Sequence, residues 1–161
     1  VSTLGHLSYI AQNTSFWSKN FIQSANIDAT VTKYWDDSDD AGGVTGDRYN
    51  DTNDLTSAGS NEGFLNIGKN SYSNNNFTGE YDGGGYSISG LTINRPNEEY
   101  VGLFGATYTG VTIKNLSLTN VNITGSMNVG SLAGYSNATT IDNCSASGSV
   151  SGTSYVGGLF R

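Results

Sequence analysis

The densest group of oxygen-bearing side chains in this chain is the run Tyr34-Trp-Asp-Asp-Ser-Asp-Asp-Ala-Gly-Gly, followed by Asp47-Arg-Tyr-Asn-Asp-Thr-Asn-Asp54. Together these two segments hold seven of its 14 acidic residues. Asp37-x-Asp39-x-x-Gly42 has the opening spacing of a calcium loop, where closely placed carboxylates supply oxygens at ~2.3–2.6 Å. An EF-hand loop would need an oxygen ligand where Ala41 stands and a bidentate Glu where Arg48 stands, so that version is excluded. What remains is a looser Ca2+ site drawing on Asp36, Asp37, Asp39 and Asp40 with Asp47, Asp51 or Asp54, set against a solvated acidic loop. Aromatic residues flank the same segment, and flat rings beside Asp and Asn can stack on sugar faces. Tyr34, Trp35 and Tyr49 are therefore the candidate ligand-binding residues, the competing reading being that Trp35 plugs a structural cap.

Catalytic constellations are scarce. Glycan cleavage on a β scaffold needs two carboxylates at a controlled separation, or calcium with a basic proton acceptor, on one face. Beyond Val101 the acidic residues reduce to Asp142 and the basic ones to Lys114 and Arg161. Glu80 and Asp82 could share a strand face, although the adjacent Gly83-Gly-Gly85 argues for a turn. His6 lies between Leu4 and Leu7 without a nucleophile that sequence can attach to it. The three glycines lack the Lys-Ser/Thr of a phosphate loop. A Thr-x-Thr ladder suited to ice is reduced to scattered Thr112, Thr119 and Thr124. The chain reads as noncatalytic, with no catalytic residues assigned.

The elements that must carry these residues follow from composition and period. The formal charge of -7 deprives a nucleic-acid role of the basic surface it requires. No apolar run approaches the ~18 residues that span a bilayer. Val1-Ser-Thr-Leu-Gly-His lacks the basic and apolar regions of a signal peptide, which leads us to expect a mature or excised piece of an exported protein. With 22 Gly, one Pro and 35% hydrophobic residues, helix bundles are excluded and a thin, elongated core is favoured. The single Cys144 rules out an intrachain disulfide framework and reads as a small buried hydrophobe.

One apolar phrase recurs three times: Tyr100-Val-Gly-Leu-Phe-Gly105, Asn128-Val-Gly-Ser-Leu-Ala-Gly134 and Tyr155-Val-Gly-Gly-Leu-Phe160. A second phrase aligns Ile88-Ser-Gly-Leu91-Thr-Ile93 with Ile113-Lys-Asn-Leu116-Ser-Leu118 and Ile141-Asp-Asn-Cys144-Ser-Ala146. This alignment puts Leu91, Leu116 and Cys144 in one inward ladder. Steps of 25 to 28 residues match one turn of a parallel β-helix built from about three short strands. The usual hand of parallel crossovers makes it right-handed. Leu4, Leu7, Ile10 and Ala11 predict a short helix with Ser2 or Thr3 as N-cap, and Phe21 to Ile27 alternates as one strand. The organisation expected is an N-terminal cap over 1–33, the acidic inserted loop over 34–63 and coils over 64–161. Arg161, standing where Gly105 and Gly134 stand in the earlier phrases, suggests a cut within a longer array.

The ordered phrases, preceded by Phe77-Thr-Gly-Glu-Tyr-Asp-Gly-Gly-Gly-Tyr-Ser-Ile-Ser-Gly-Leu-Thr-Ile93, resemble the GLUG-motif repeats of large bacterial secreted and cell-surface proteins. The resemblance implies a β-solenoid segment of an adhesin-like exported protein and carries over no catalytic residues. The expected function is a rigid stalk or assembly segment. The alternatives are a carbohydrate-binding or carbohydrate-cleaving β-helix and a self-assembling filament subunit. Expected partners are further repeats or domains of the same protein, or a neighbouring subunit, at an open C-terminal coil, together with host or matrix glycans or proteins.

Overall fold

A computed structural model of the chain describes residues 1–35, 62–69 and 76–160. The one α-helix among the described residues, α1 (Leu4–Gln12), begins where Thr3 supplies a cap, His6 N–H donating to Thr3 Oγ1 at 3.1 Å. Leu7, Ile10 and Ala11 form its buried face, and Trp17 Nε1–H donates to the Ile10 carbonyl at 2.8 Å, tying the helix to the chain that follows.

The other described residues form two short 3-10 helices (Thr14–Phe16 and Thr30–Tyr34), strands and turns. In chain order the strands are β1 (Phe21–Ile22), β2 (Ile27–Asp28), β3 (Glu80–Asp82), β4 (Ser87–Ser89), β5 (Thr92–Asn94), β6 (Phe104–Thr107), β7 (Thr112–Lys114), β8 (Ser117–Thr124), β9 (Met127–Val129), β10 (Ala133–Ser136), β11 (Thr140–Asp142), β12 (Ser145–Ser151) and β13 (Ser154–Val156). Every pairing between these strands is parallel. One sheet runs β1-β3-β7-β11 and a second β2-β4-β8-β12, with β5 also paired to β8; β9 with β13 and β6 with β10 form two smaller sheets. Bridges extend the small sheets, Val101 lying opposite Val129, Ile67 opposite Phe104 and Ala133 opposite Phe160. From Glu80 onward the chain visits the four sheets in the same order on each of three passes, so equivalent residues stack.

Local chemistry explains the corners between sheets. The expected single strand from Phe21 to Ile27 is two strands, because buried Gln23 pins a turn between them. Its Nε2 donates to the Ala25 and Ser87 carbonyls, and its Oε1 accepts from Tyr81 Oη–H at 3.0 Å. The residue before each repeated Val-Gly is left-handed: Tyr100 (φ 61°), Asn128 (φ 57°) and Tyr155 (φ 52°). At Gly102 a Cβ would sit 2.6 Å from the Gly130 carbonyl oxygen, which is why the phrase requires glycine there.

The ladders depart from the sequence alignment in one respect. Ile88 lies opposite Leu118, and Ile93 opposite Ile123, so the phrase at 88–93 stacks on Leu118-x-x-Val121-x-Ile123 and not on Ile113-x-x-Leu116-x-Leu118. The position opposite Ile113 is Tyr81. Spacing within the turn is the cause: Asp82 and Ser87 are five residues apart, whereas their partners Lys114 and Ser117 are three apart. Gly83-Gly84-Gly85 takes up the two additional residues, with Gly84 at φ 61° and Gly85 at φ 81°. Leu91 and Leu116 are both buried, but in different ladders. Cys144 follows Leu116 in register, since Ser145 lies opposite Ser117, yet it is half-buried because no described strand covers the far side of β11 and β12.

The core is graded in size along the stack. Its early passes are aromatic, with Phe77 5.0 Å and Tyr81 5.6 Å from Phe104 by ring centroid, and its middle is aliphatic. At the last pass Leu118 gives way to Ala146, Val121 to Gly148 and Ile123 to Val150. Leu116, fully buried in the middle, tests this arrangement. Leu116→Ala should lower unfolding free energy by about 2–5 kcal/mol, read as a fall in urea midpoint at constant slope. A loss below about 1 kcal/mol would show that Leu116 does not face the core.

Candidate functional site

Of the residues singled out for binding, Tyr34 and Trp35 lie among the described residues, whereas Asp36, Asp37, Asp39, Asp40, Asp47, Tyr49, Asp51 and Asp54 lie outside them. Tyr34 is exposed, with Lys33 Nζ 4.7 Å from its ring centroid, a cation–π contact. Trp35 is only 6% exposed and stacks on Phe64 at 6.2 Å, so its ring is a structural plug and presents no face to a ligand. Trp17 and Tyr81 are buried in the same way.

The structure assembles two features that could interact. The first is a charged clip on the outer face of the β1-β3-β7-β11 sheet. Lys114 Nζ lies 2.5 Å from Glu80 Oε1 and 3.7 Å from Asp82 Oδ2, joining β3 to β7. Asp82 Oδ1 also accepts from Gly84 N–H at 2.9 Å and from Asn115 Nδ2 at 3.1 Å, and Asn115 Oδ1 accepts from Asn143 Nδ2 at 2.9 Å. The Gly84 amide, then Asn115 and Lys114, hold the Asp82 carboxyl below the usual aspartate value. The hydrogen bond to Glu80 raises the Lys114 amine. A carboxylate kept ionised and an amine kept protonated are suited to holding strands together and poorly suited to proton transfer near neutral pH. The carboxylate–asparagine ladder was not anticipated from sequence. Its signal was there in Ile113-Lys-Asn115 and Ile141-Asp-Asn143, where asparagine serves left-handed corners at φ 54° and 49°.

The second feature is the edge formed by β11, β12 and β13, each of which has a partner strand on one side only among the described residues. Ala146, Val150, Val156 and Leu159 line a groove of about 500 Å3 there, together with Ser131, Ser147, Gly148, Gly157 and Gly158. Tyr155, Val156 and Phe160 are exposed beside it. Strand edges beside a hollow of mixed polar and apolar lining are a surface suited to packing. Among the described residues no three His, Cys, Asp or Glu side chains come together as a metal site, and no helix is long and apolar enough to cross a membrane.

Residues 59–148 match the family described as the M26 IgA1-specific metallo-endopeptidase N-terminal region. The chain belongs to this family. The matched stretch runs through β3 to β11 into β12, so it contains the charged clip and the stacked passes. The chain is also 45% identical over 83 residues to halomucin of Haloquadratum walsbyi, an alignment covering 52% of this chain and 1% of that protein. It is 43% identical over 74 residues to a putative Gly-rich membrane protein of Evansella cellulosilytica, covering 44% of this chain and 8% of that protein. The chain thus spans only a small fraction of the curated relatives it matches. No solved structure matches it.

Within this M26 N-terminal region the clip has a testable pH signature. Because the folded state lowers the Asp82 pKa, its contribution to stability is complete above the ordinary aspartate value of 3.8 and is lost as pH falls through the folded value. Asp82→Asn should therefore lower Tm at neutral pH and reduce the fall in Tm on acidification below pH 3.8. Parallel acid limbs for the variant and the wild type would remove Asp82 from the account.

Proposed function

We propose that this chain is a noncatalytic segment of a right-handed parallel β-helix, of the GLUG-like repeat type, that serves as a rigid spacer in a large secreted or cell-surface protein. The observation that carries the reading is the ordered return of the chain to the same four parallel sheets, with Val101, Val129 and Val156 in successive register. Nearest-neighbour stacking of this kind transmits stiffness along one axis and scales by adding passes, which is what a spacer requires. The exposed groove and strand edges of β11 to β13 suit a further pass or domain of the same protein.

Three points support the extracellular setting. The family is the N-terminal region of an endopeptidase, one matching relative is named as a membrane protein, and both relatives are far longer than the aligned segment. Adhesion to glycans through Tyr34 and Tyr49, and calcium held by the acidic residues from Asp36 to Asp54, are subsidiary proposals.

The test is placement and inertness. Antibodies raised against the chain should label intact, unpermeabilised cells of its source or appear in the culture supernatant, and the purified chain should release no reducing or unsaturated sugar from polysaccharides. Labelling confined to lysed cells, or sustained sugar release, would overturn the proposal.

A further inference from the structure

Seven Asn-x-Ser/Thr triplets occur in this chain, at Asn13, Asn50, Asn76, Asn115, Asn122, Asn137 and Asn143. Such a triplet becomes an N-glycan acceptor only where a surface segment can present its amide. Asn50 lies outside the described residues. The fold separates the other six. Asn13 caps α1, its Nδ2 donating to the Tyr9 carbonyl at 2.8 Å. Asn76 has a buried side-chain oxygen. The Nδ2 groups of Asn115 and Asn143 are both committed to the ladder that ends on Asp82.

Two exposed amides without a hydrogen bond among the described residues remain, and they differ in backbone. Asn122 lies within β8, paired to Thr92 of β5 on one side and to Ser149 of β12 on the other. Bringing it into an enzyme cleft means opening ladders to two neighbours. Asn137-Ala138-Thr139 is by contrast the whole connection between β10 and β11, with Asn137 and Ala138 exposed and Ala138 already left-handed at φ 54°. Among the described residues it is tied to one neighbouring pass only, Asn137 N–H donating to the Thr107 carbonyl at 3.0 Å and Thr139 Oγ1 bonding to Thr107 Oγ1 at 2.9 Å and to the Tyr108 carbonyl at 3.3 Å.

We propose that Asn137 is, among the described residues, the N-glycosylation acceptor of the folded chain, with a polyprenyl-phosphate- or polyprenyl-diphosphate-linked oligosaccharide as donor. In the transfer, Asn137 Nδ2 attacks the anomeric carbon. The C–N bond forms as the sugar–oxygen bond to the lipid phosphate breaks, the phosphate leaves with the electron pair, and the amide nitrogen gives up one proton. Export to a compartment that holds the transferase rests on the extracellular reading above. The choice of acceptor does not, so it can be tested on the purified chain.

The folded chain is incubated with a single-subunit oligosaccharyltransferase and a lipid-linked oligosaccharide, alongside a urea-unfolded chain diluted directly into the reaction. Intact mass and glycopeptide mapping then locate the sugar. Of the six described triplets, Asn137 alone is expected to carry a glycan in the folded chain, several are expected to carry one in the unfolded chain, and folded Asn137→Gln, at unchanged Tm, is expected to carry none at these six. Modification of Asn122, Asn115 or Asn143 ahead of Asn137 in the folded chain would overturn the assignment. So would a folded chain that stays unmodified while the unfolded chain is modified.

Discussion

Parallel backbone pairing in a fixed register is the constraint from which the rest of this structure follows. A parallel ladder sets each residue beside its equivalent one pass away at ~4.8 Å, so whatever faces inward on one pass must pack on what faces inward on the next. Ile93 over Ile123 over Val150, and Val101 over Val129 over Val156, are the result. The ladder also accounts for the Val-Gly phrase. Once the strands are ~4.8 Å apart the corners must be tight, which imposes left-handed residues before the valines and leaves no room for a Cβ at Gly102.

The same constraint distributes charge and aromatic mass. Outward positions on adjacent passes are neighbours, so Glu80 and Asp82 on β3 meet Lys114 on β7 without any local sequence relation among them. Inward positions begin with rings at Trp17, Phe77 and Tyr81 and end with Ala146 and Gly148, which leaves the hollow beside β12. The aromatic part of the core, which the buried face of α1 joins, and the edge at β11 to β13 therefore differ in chemistry as well as in position.

Much of this was legible in the sequence. The helix at Leu4–Gln12 with its Thr3 cap, the dominance of strand, and the steps between successive Val-Gly phrases all come from patterns that local physics reads directly. The register of the 88–93 phrase was not legible. Apolar residues at the same internal spacing occur twice in the next pass, from Ile113 and from Leu118, and periodicity cannot choose between them. The choice is made by the length of the Gly83–Gly85 turn, a feature that only the pairing reveals. The Asp82–Asn115–Asn143 ladder escaped for a related reason, since its members lie more than 25 residues apart and meet only through the stacking. Of the candidate ligand residues, Trp35 could have been read either way, and its packing on Phe64 assigns it to the core.

Register is accordingly the claim on which the account stands, and methyl-labelled NMR reads it most directly. The account predicts through-space contacts of Ile88 with Leu118 and of Ile93 with Ile123, with Ile113 contacting the ring of Tyr81. Contacts of Ile88 with Ile113 and of Leu91 with Leu116 in their place would restore the alignment read from sequence and contradict the structure described above.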